Sequence, residues 1–251
     1  MNALSQEERE RYQRHLRIPA FEEEGQLKLK GGSVLVVGTG GLGSAVLLYL
    51  AAAGVGKLGI VDSDVVELSN LQRQILYDTE NLGVQKMESS FNRLHKLNPH
   101  VDLKLYLQHF EKENAEQIIQ EYSIVMDGTD NFEARFLIND MCVKLRKPYI
   151  YGAIDQFHGQ VSVFDASKGA CFRCLYPHMP SDEVTAANKG VGVVGAVPGI
   201  IGSMEALECI KILTGIGNPL YSRMILLDGE QMEFREIQIR KRVDCPVCAN
   251  Q

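Results

Sequence analysis

Short apolar runs alternate with amphipathic stretches through the first 151 residues. Ser33 to Val37 (SVLVV) is a β-branched run stopping at Gly38, the pattern of a buried parallel strand. From Leu42 to Ala53 the positions Leu42, Val46, Leu50 and Ala53 fall near one helical face. Leu58 to Val61 (LGIV) reads as the next strand, ending at Asp62. Asn81 to Asn98 reads as a helix, with Met87, Phe91, Leu94 and Leu97 near helical spacing and Pro99 beyond its end. Strands follow over Asp102 to Leu107, Ser123 to Met126 and Pro148 to Tyr151, separated by helices over Asn114 to Glu121 and Phe132 to Leu145. This alternation predicts an α/β fold: a mostly parallel sheet with helices on both faces.

After Tyr151 the pattern changes. Gly159 to Phe164 (GQVSVF) alternates apolar and polar residues, as antiparallel strands do. Arg223 to Asp228 and Gln231 to Ile239 look similar and pair as a hairpin around Asp228-Gly229. Between them lie a polar loop, Pro177 to Lys189, and a glycine-rich apolar stretch whose later part predicts a buried helix. Residues 1–30 are mixed in charge and helix-prone. No repeat or low-complexity linker divides the chain. We expect residues 1–251 to form a single domain: a helical segment (1–30), a core (31–151) and an antiparallel C-terminal extension (152–251).

Composition narrows the function. The 251 residues are 45% apolar with a net charge of −6, which excludes whole-chain disorder. A pI of about 5.6 lacks the basic footprint of a general nucleic-acid binder. No run of 18 apolar residues offers a membrane span, and the charged N-terminus does not suit a signal peptide. A cytoplasmic location is expected.

Gly38-Thr39-Gly40-Gly41-Leu42-Gly43 matches G-x-G-x-x-G between a strand and a helix. Such glycines let a ligand approach the backbone, and the helix N-terminus favours an anion. Asp62, at the end of the second strand, is placed to accept ribose hydroxyls. The pattern is Rossmann-like and NAD would fit it. A P-loop does not, because Gly56-Lys57 is preceded by Ala51 where a glycine is needed and followed by Leu58. If ATP binds, other residues hold its phosphates. Asn70, Arg73, Lys86 and Asp130 follow strand ends on the ligand side of such sheets, and suit phosphate clamping plus a Mg²⁺ ligand.

Four of six cysteines form two C-x-x-C pairs, Cys171/Cys174 and Cys245/Cys248. Four thiolates match structural zinc, with a redox dithiol or an inert pair as alternatives. A redox pair would normally open a helix after a strand, and Cys245/Cys248 sits three residues from the C-terminus. Cys142 and Cys209, in predicted helices, read as buried inert thiols. His158, after the last parallel strand, could line the site, but reads first as a structural histidine.

The glycine loop, the run Asp62 to Leu76 (DSDVVELSNLQRQIL), Lys86 and Asp127 to Asn131 (DGTDN) resemble the ubiquitin-activating-like adenylyltransferases, the MoeB/ThiF/HesA group of bacterial sulfur transfer. The resemblance runs from Tyr12 to Cys248 and is closest in overall pattern to the molybdopterin branch. It implies Mg-ATP and a small ubiquitin-like sulfur-carrier protein ending in Gly-Gly, whose carboxylate is joined to AMP with release of pyrophosphate. It places Gly38, Gly40, Gly41 and Gly43 in the nucleotide loop, Asp62 on the ribose, and Ser69, Asn70, Arg73 and Lys86 toward the phosphates. Asp130 becomes the magnesium ligand, with Asn131 beside it, and the cysteines hold zinc. Arg14 matches an arginine inserted into the partner subunit's site, which implies a homodimer. Some relatives carry a loop cysteine for a covalent step. Glu183 to Val191 (EVTAANKGV) has none, and Asn188 stands about where it would be. With no appended rhodanese domain either, sulfur is expected from another protein. The thiamine-thiazole carrier is the nearest alternative. An NAD-dependent oxidoreductase leaves Arg14, Asn70, Arg73 and Lys86 without a joint role, and an inactive scaffold leaves Arg73, Lys86 and Asp130 unexplained.

Overall fold

The structure, a computed structural model, describes residues 3–181, 183 and 190–249. Among them, eight strands form one sheet: β1 (Ser33–Val37), β2 (Lys57–Asp62), β3 (Asp102–Leu107), β4 (Ile124–Asp127), β5 (Tyr149–Asp155), β6 (His158–Phe164), β7 (Arg223–Asp228) and β8 (Glu233–Gln238). Their order is β3-β2-β1-β4-β5-β6-β7-β8. The first five strands pair in parallel, and β6, β7 and β8 join antiparallel.

The helices are α1 (Gln6–Arg11), α2 (Gln13–Leu16), α3 (Glu22–Lys30), α4 (Gly41–Ala53), α5 (Lys86–Leu97), α6 (Lys112–Ile119), α7 (Phe132–Leu145), α8 (Phe172–Leu175) and α9 (Ala196–Thr214). They cover both faces of the sheet. In β1, Val34 and Val36 point into a core shared with α4, α5 and α9, while Leu35 and Val37 point into one shared with α6, α7 and the cysteine cluster. Burial on both sides explains why β1 reads as a continuous apolar run rather than an alternating one. At the far edge β8 is exposed at every position.

Most predicted elements are present, with boundaries shifted for identifiable reasons. The helix expected from Asn81 begins at Lys86. Thr79–Asn81 forms its own short turn, capped by the Asp78 side chain onto the Glu80 amide, and Gly83 at φ +77° breaks the path. Strand β5 continues past Tyr151 to Asp155, because β6 folds straight back onto it through Gln156-Phe157. The N-terminal segment is fastened to the core by Tyr12. Its ring packs on Gly54, and its hydroxyl accepts from Asn98 Nδ2 at 2.8 Å. No helix among the described residues is long and apolar enough to cross a membrane.

Candidate functional site

The strand order reverses around β1, whose neighbours β2 and β4 lead in opposite directions across the sheet. In open α/β sheets a crevice forms beyond the carboxyl ends of strands at such a point. Here a cleft of about 1440 Å³ opens there, lined by the ends of β1, β2 and β4 and, across it, by Gly190–Val193. That last segment is pinned to the β5–β6 turn, with the Gln156 amide donating to Gly192 O and the Val194 amide to Gln156 O, both at 3.0 Å.

The glycine loop forms the floor. Gly38 has φ +88°, which favours glycine, and its carbonyl is hemmed in by Gly43 and Gly128, where any Cβ would collide with it. Gly43 therefore serves close packing and does not line the cleft, whereas Gly38, Gly40 and Gly41 do. Helix α4 starts at Gly41 with no side-chain cap and no acid in its first turn. Its unsatisfied amides and positive dipole end make an uncompensated anion site.

Asp62 is held on the loop. Its Oδ2 accepts from the Thr39 amide (2.8 Å) and hydroxyl (2.6 Å), and its Oδ1 from the Asp64 amide (2.9 Å). Tyr77 donates in turn to Thr39 Oγ1 at 2.7 Å. Burial pushes the Tyr77 phenol up, so it stays a donor throughout the physiological range. This hydroxyl relay fixes which lone pairs of Asp62 remain for a ligand.

Two cations face the loop. The Lys86 side chain, 6% exposed, reaches Asp64 at 2.9 Å, and that carboxylate is itself 63% exposed. Arg73 bonds Ser69 O at 3.1 Å, and its Cγ lies 3.5 Å from where a Cβ on Gly41 would stand. Asp130, exposed at the cleft, makes no hydrogen bond or ion pair among the described residues. Its neighbour Asn131 lines the cleft and caps α7, accepting from the Ala134 amide at 2.8 Å. Ser69 and Asn70 do not line the cleft. Asn70 is buried and accepts from the Glu67 amide at 3.1 Å, shaping the turn that presents Arg73. Arg14 is exposed on α2, away from the cleft lining. Asn188 lies outside the described residues. His158, expected as structural, is instead half exposed at the cleft, 3.9 Å from Asp228.

Apart from the cleft, Cys171, Cys174, Cys245 and Cys248 are all buried, with their Sγ atoms within 4.8 Å of one another. Three of the separations are 4.0, 3.6 and 3.4 Å. A tetrahedron with Zn–S bonds of ~2.3 Å has edges of ~3.8 Å. The donor set fits structural zinc, since four thiolates leave no open coordination position. Cys142 and Cys209 are buried thiols whose pKa is pushed up by burial, as inert core cysteines are.

The ThiF family matches residues 12–247. The chain belongs to the ThiF family. Among its relatives is the sulfur carrier protein adenylyltransferase of Thermus thermophilus, 44% identical over 252 residues, covering 98% of this chain and 93% of that protein. The adenylyltransferase and sulfurtransferase MOCS3 of Drosophila ananassae is 45% identical and covers 99% of this chain, which spans only 55% of the MOCS3 length. The enzyme class expected from the sequence, an adenylyltransferase, is the one these relatives bear. Among solved structures, E. coli MccB with MccA-N7isoASN superposes with a TM-score of 0.86 at 22% identity, covering 98% of this chain and 76% of that one. E. coli MccB with ATP gives 0.81 at 23%, covering 90% and 69%. At such identity the likeness is one of fold.

The first residue of the Asp127 to Asn131 run is held by two residues that no motif singled out, Arg135 and Tyr149. Asp127 is fully buried, accepting from the Thr129 amide (2.9 Å), the Thr129 hydroxyl (2.6 Å) and the Tyr149 hydroxyl (2.6 Å), with Arg135 Nε at 3.4 Å. This network holds the turn that carries Asp130. Burial pushes the Asp127 carboxyl up, against the pull of Arg135. Nothing in the linear spacing of Asp127, Arg135 and Tyr149 reveals it, because the contacts join β4, α7 and β5.

Proposed function

We propose that this protein is an ATP-dependent adenylyltransferase that activates the C-terminal Gly-Gly carboxylate of a small ubiquitin-like sulfur-carrier protein. The observation that carries this reading is the joint placement of the uncapped α4 N-terminus, Arg73, Lys86 and Asp130, which makes no hydrogen bond or ion pair among the described residues, around one cleft at the strand-order reversal. The name of the Thermus thermophilus relative, matched over 93% of its length, supports the substrate class.

In this reading the glycine loop and α4 hold the phosphates, Asp62 accepts from the ribose, and Arg73 and Lys86 work on the phosphate side, with Asn131 beside them at the cleft; Ser69 and Asn70 act from behind, Asn70 shaping the turn and Ser69 O holding the Arg73 guanidinium. A carboxylate oxygen of the carrier attacks the α-phosphorus. An O–P bond forms, the bond to the β-phosphate oxygen breaks, and pyrophosphate departs with the electron pair. The carrier supplies the nucleophile, so positioning and charge neutralisation suffice for catalysis. Asp130 offers the oxygen donor that Mg²⁺ prefers, and such an ion would neutralise phosphate charge. The four cysteines would hold zinc as a structural brace.

The chain would act as one adenylation domain in a cytoplasmic homodimer, with Arg14 entering the partner's site. A separate donor would supply sulfur to the acyl-adenylate. The molybdopterin route is favoured by the overall sequence pattern, and the thiamine route uses the same chemistry. ATP–pyrophosphate exchange with a purified Gly-Gly-tailed carrier is the test. Arg73→Ala and Lys86→Ala should fold, yet lose about 10²–10³ in exchange rate. Wild-type exchange in either variant refutes the assignment.

A further inference from the structure

The N-terminal arm presents a cation between two fastened neighbours. Arg14 is exposed on α2 and makes no hydrogen bond or ion pair among the described residues. Helix α2 is only four residues long, and no side chain caps its start. A helix that short does not hold its own geometry, so its direction is set by what its side chains grip. Tyr12 is buried and His15 half-buried, and their spacing puts them on one inward face, with Arg14 left on the solvent side.

Chemistry fixes the direction of the bond that His15 makes. Gln26 is fully buried, and its Nε2 donates to Ala53 O at 2.8 Å. A carbonyl only accepts, so the carboxamide cannot be turned round, and its Oε1 faces His15 Nδ1 at 2.9 Å as an acceptor. His15 Nδ1 therefore carries the proton and donates. The imidazole also packs on Phe21, with ring centroids 4.9 Å apart. On the Tyr12 side, Asn98 Nδ2 bridges the Tyr12 hydroxyl (2.8 Å) and Ala51 O (2.7 Å). Ala51 and Ala53 lie in the last turn of α4, where carbonyls run out of helical partners. Through Gln26 and Asn98 the arm is tied to the C-terminal end of the helix whose other end faces the cleft.

We propose that His15 is a positioning residue for Arg14: its Nδ1–H bond to Gln26 fixes the direction of α2, so that the Arg14 guanidinium meets ATP in the partner subunit's cleft from a preset place. This deepens the proposed function and rests on its assignment of Arg14 to that cleft. A long cationic side chain delivered across an interface gives up freedom on binding, and a fixed backbone beneath it lowers that cost. His15 touches no nucleotide and acts only through Arg14. Tyr12 anchors the other end of α2 but also packs on Gly54, so His15 is the anchor that can be altered without loosening the whole arm.

The test is a double-mutant cycle on the full chain, with ATP titrated by calorimetry and folding followed by thermal melting. His15→Phe keeps a ring against Phe21 and removes the donor, whereas His15→Asn places an amide N–H close to the former Nδ1. Arg14→Ala should weaken ATP binding about ten- to a hundred-fold, as loss of a charged contact to phosphate does. His15→Phe should weaken it about three- to ten-fold, and His15→Asn should stay within about twofold of wild type. In the Arg14→Ala background His15→Phe should have no further effect, a result that general loosening of the fold would not reproduce. An undiminished His15→Phe penalty in that background, wild-type affinity in His15→Phe, or an equal loss in His15→Asn would overturn the proposal. Wild-type affinity in Arg14→Ala would instead strike the placing of Arg14 in the partner's site, and failure of the wild-type chain to bind ATP would strike the nucleotide reading itself.

Discussion

The same substitution, glycine to alanine, should have opposite effects at two helical positions. At Gly199 in α9 a Cβ would meet nothing within 4 Å. Alanine there restricts the unfolded chain and raises helix propensity, worth about 0.5–1 kcal/mol. At Gly43 in α4 a Cβ would collide with the Gly38 carbonyl oxygen, short of normal contact by roughly an ångström. That oxygen has little room to retreat, since Gly128 presses on it from the other side and the Gly38 amide is bonded to Val61 O at 2.8 Å. Moving α4 instead would disturb a helix buried along most of its length. The cost sits at the upper end of overpacking, about 3 kcal/mol, offset by about 1 kcal/mol of propensity. A chain of this size shifts its melting temperature by about 2–4 °C per kcal/mol. Gly43→Ala should therefore melt about 4–8 °C below wild type, and Gly199→Ala about 1–4 °C above it. Scanning calorimetry on both reads the difference directly. Should Gly43→Ala melt at or above the wild-type temperature, the close-packing account of the glycine loop is wrong.

Other outcomes follow from single groups. Glu205 is fully buried, neither carboxyl oxygen has a hydrogen-bond partner among the described residues, and burial raises its pKa well above the ordinary value. Its raised folded pKa means that stability is fully present below the unfolded value and is lost as pH rises toward the folded one. Glu205→Gln should thus gain on wild type by up to about 1.4 kcal/mol per pH unit above the unfolded pKa. Paired urea titrations at several pH values read this, and parallel curves for the two proteins count against a neutral buried acid. Cys174→Ser should lower zinc content, measured by metal analysis of the purified chain, and reduce thermal stability. Full zinc retention would argue against the four-thiolate site. Thr39→Val breaks the relay between Tyr77 and Asp62, and should cost about 1–3 kcal/mol in chemical denaturation; an unchanged midpoint would show the relay to be dispensable.

Sequence revealed those parts of the site that local rules encode. A strand, a glycine turn, a helix and an acid after the next strand are contiguous, so Gly38 to Gly43 and Asp62 were legible together. The two C-x-x-C pairs point by spacing to a four-thiolate metal site, with a redox dithiol or an inert pair as alternatives, and only the packing of α8 against the segment after β8 unites them. What stayed hidden depends on tertiary contact. Tyr77 donates to a threonine 38 residues away, and Glu205 looks like an ordinary helical glutamate until α9 packs against β5 beside Gly152. The start of α5 was misplaced because Asp78 and Gly83 act on geometry rather than on hydrophobic period. Gly43 was grouped with the nucleotide loop, yet its missing side chain makes room for a backbone carbonyl.

The exposed last strand bears on how the chain stays in solution. Among the described residues no strand pairs the outer edge of β8, and such an edge can template growth by another chain. Its sequence, EFREIQ, sets Glu233, Arg235 and Glu236 among Phe234 and Ile237. A strand stacking on β8 in register would bring like charges from each copy together, which raises the cost of sheet extension. Neutralising these three residues would remove the Arg223–Glu236 and Arg235–Glu233 ion pairs, each at 3.0 Å, and should raise aggregation, read as an increase in light scattering over the wild-type chain at equal concentration.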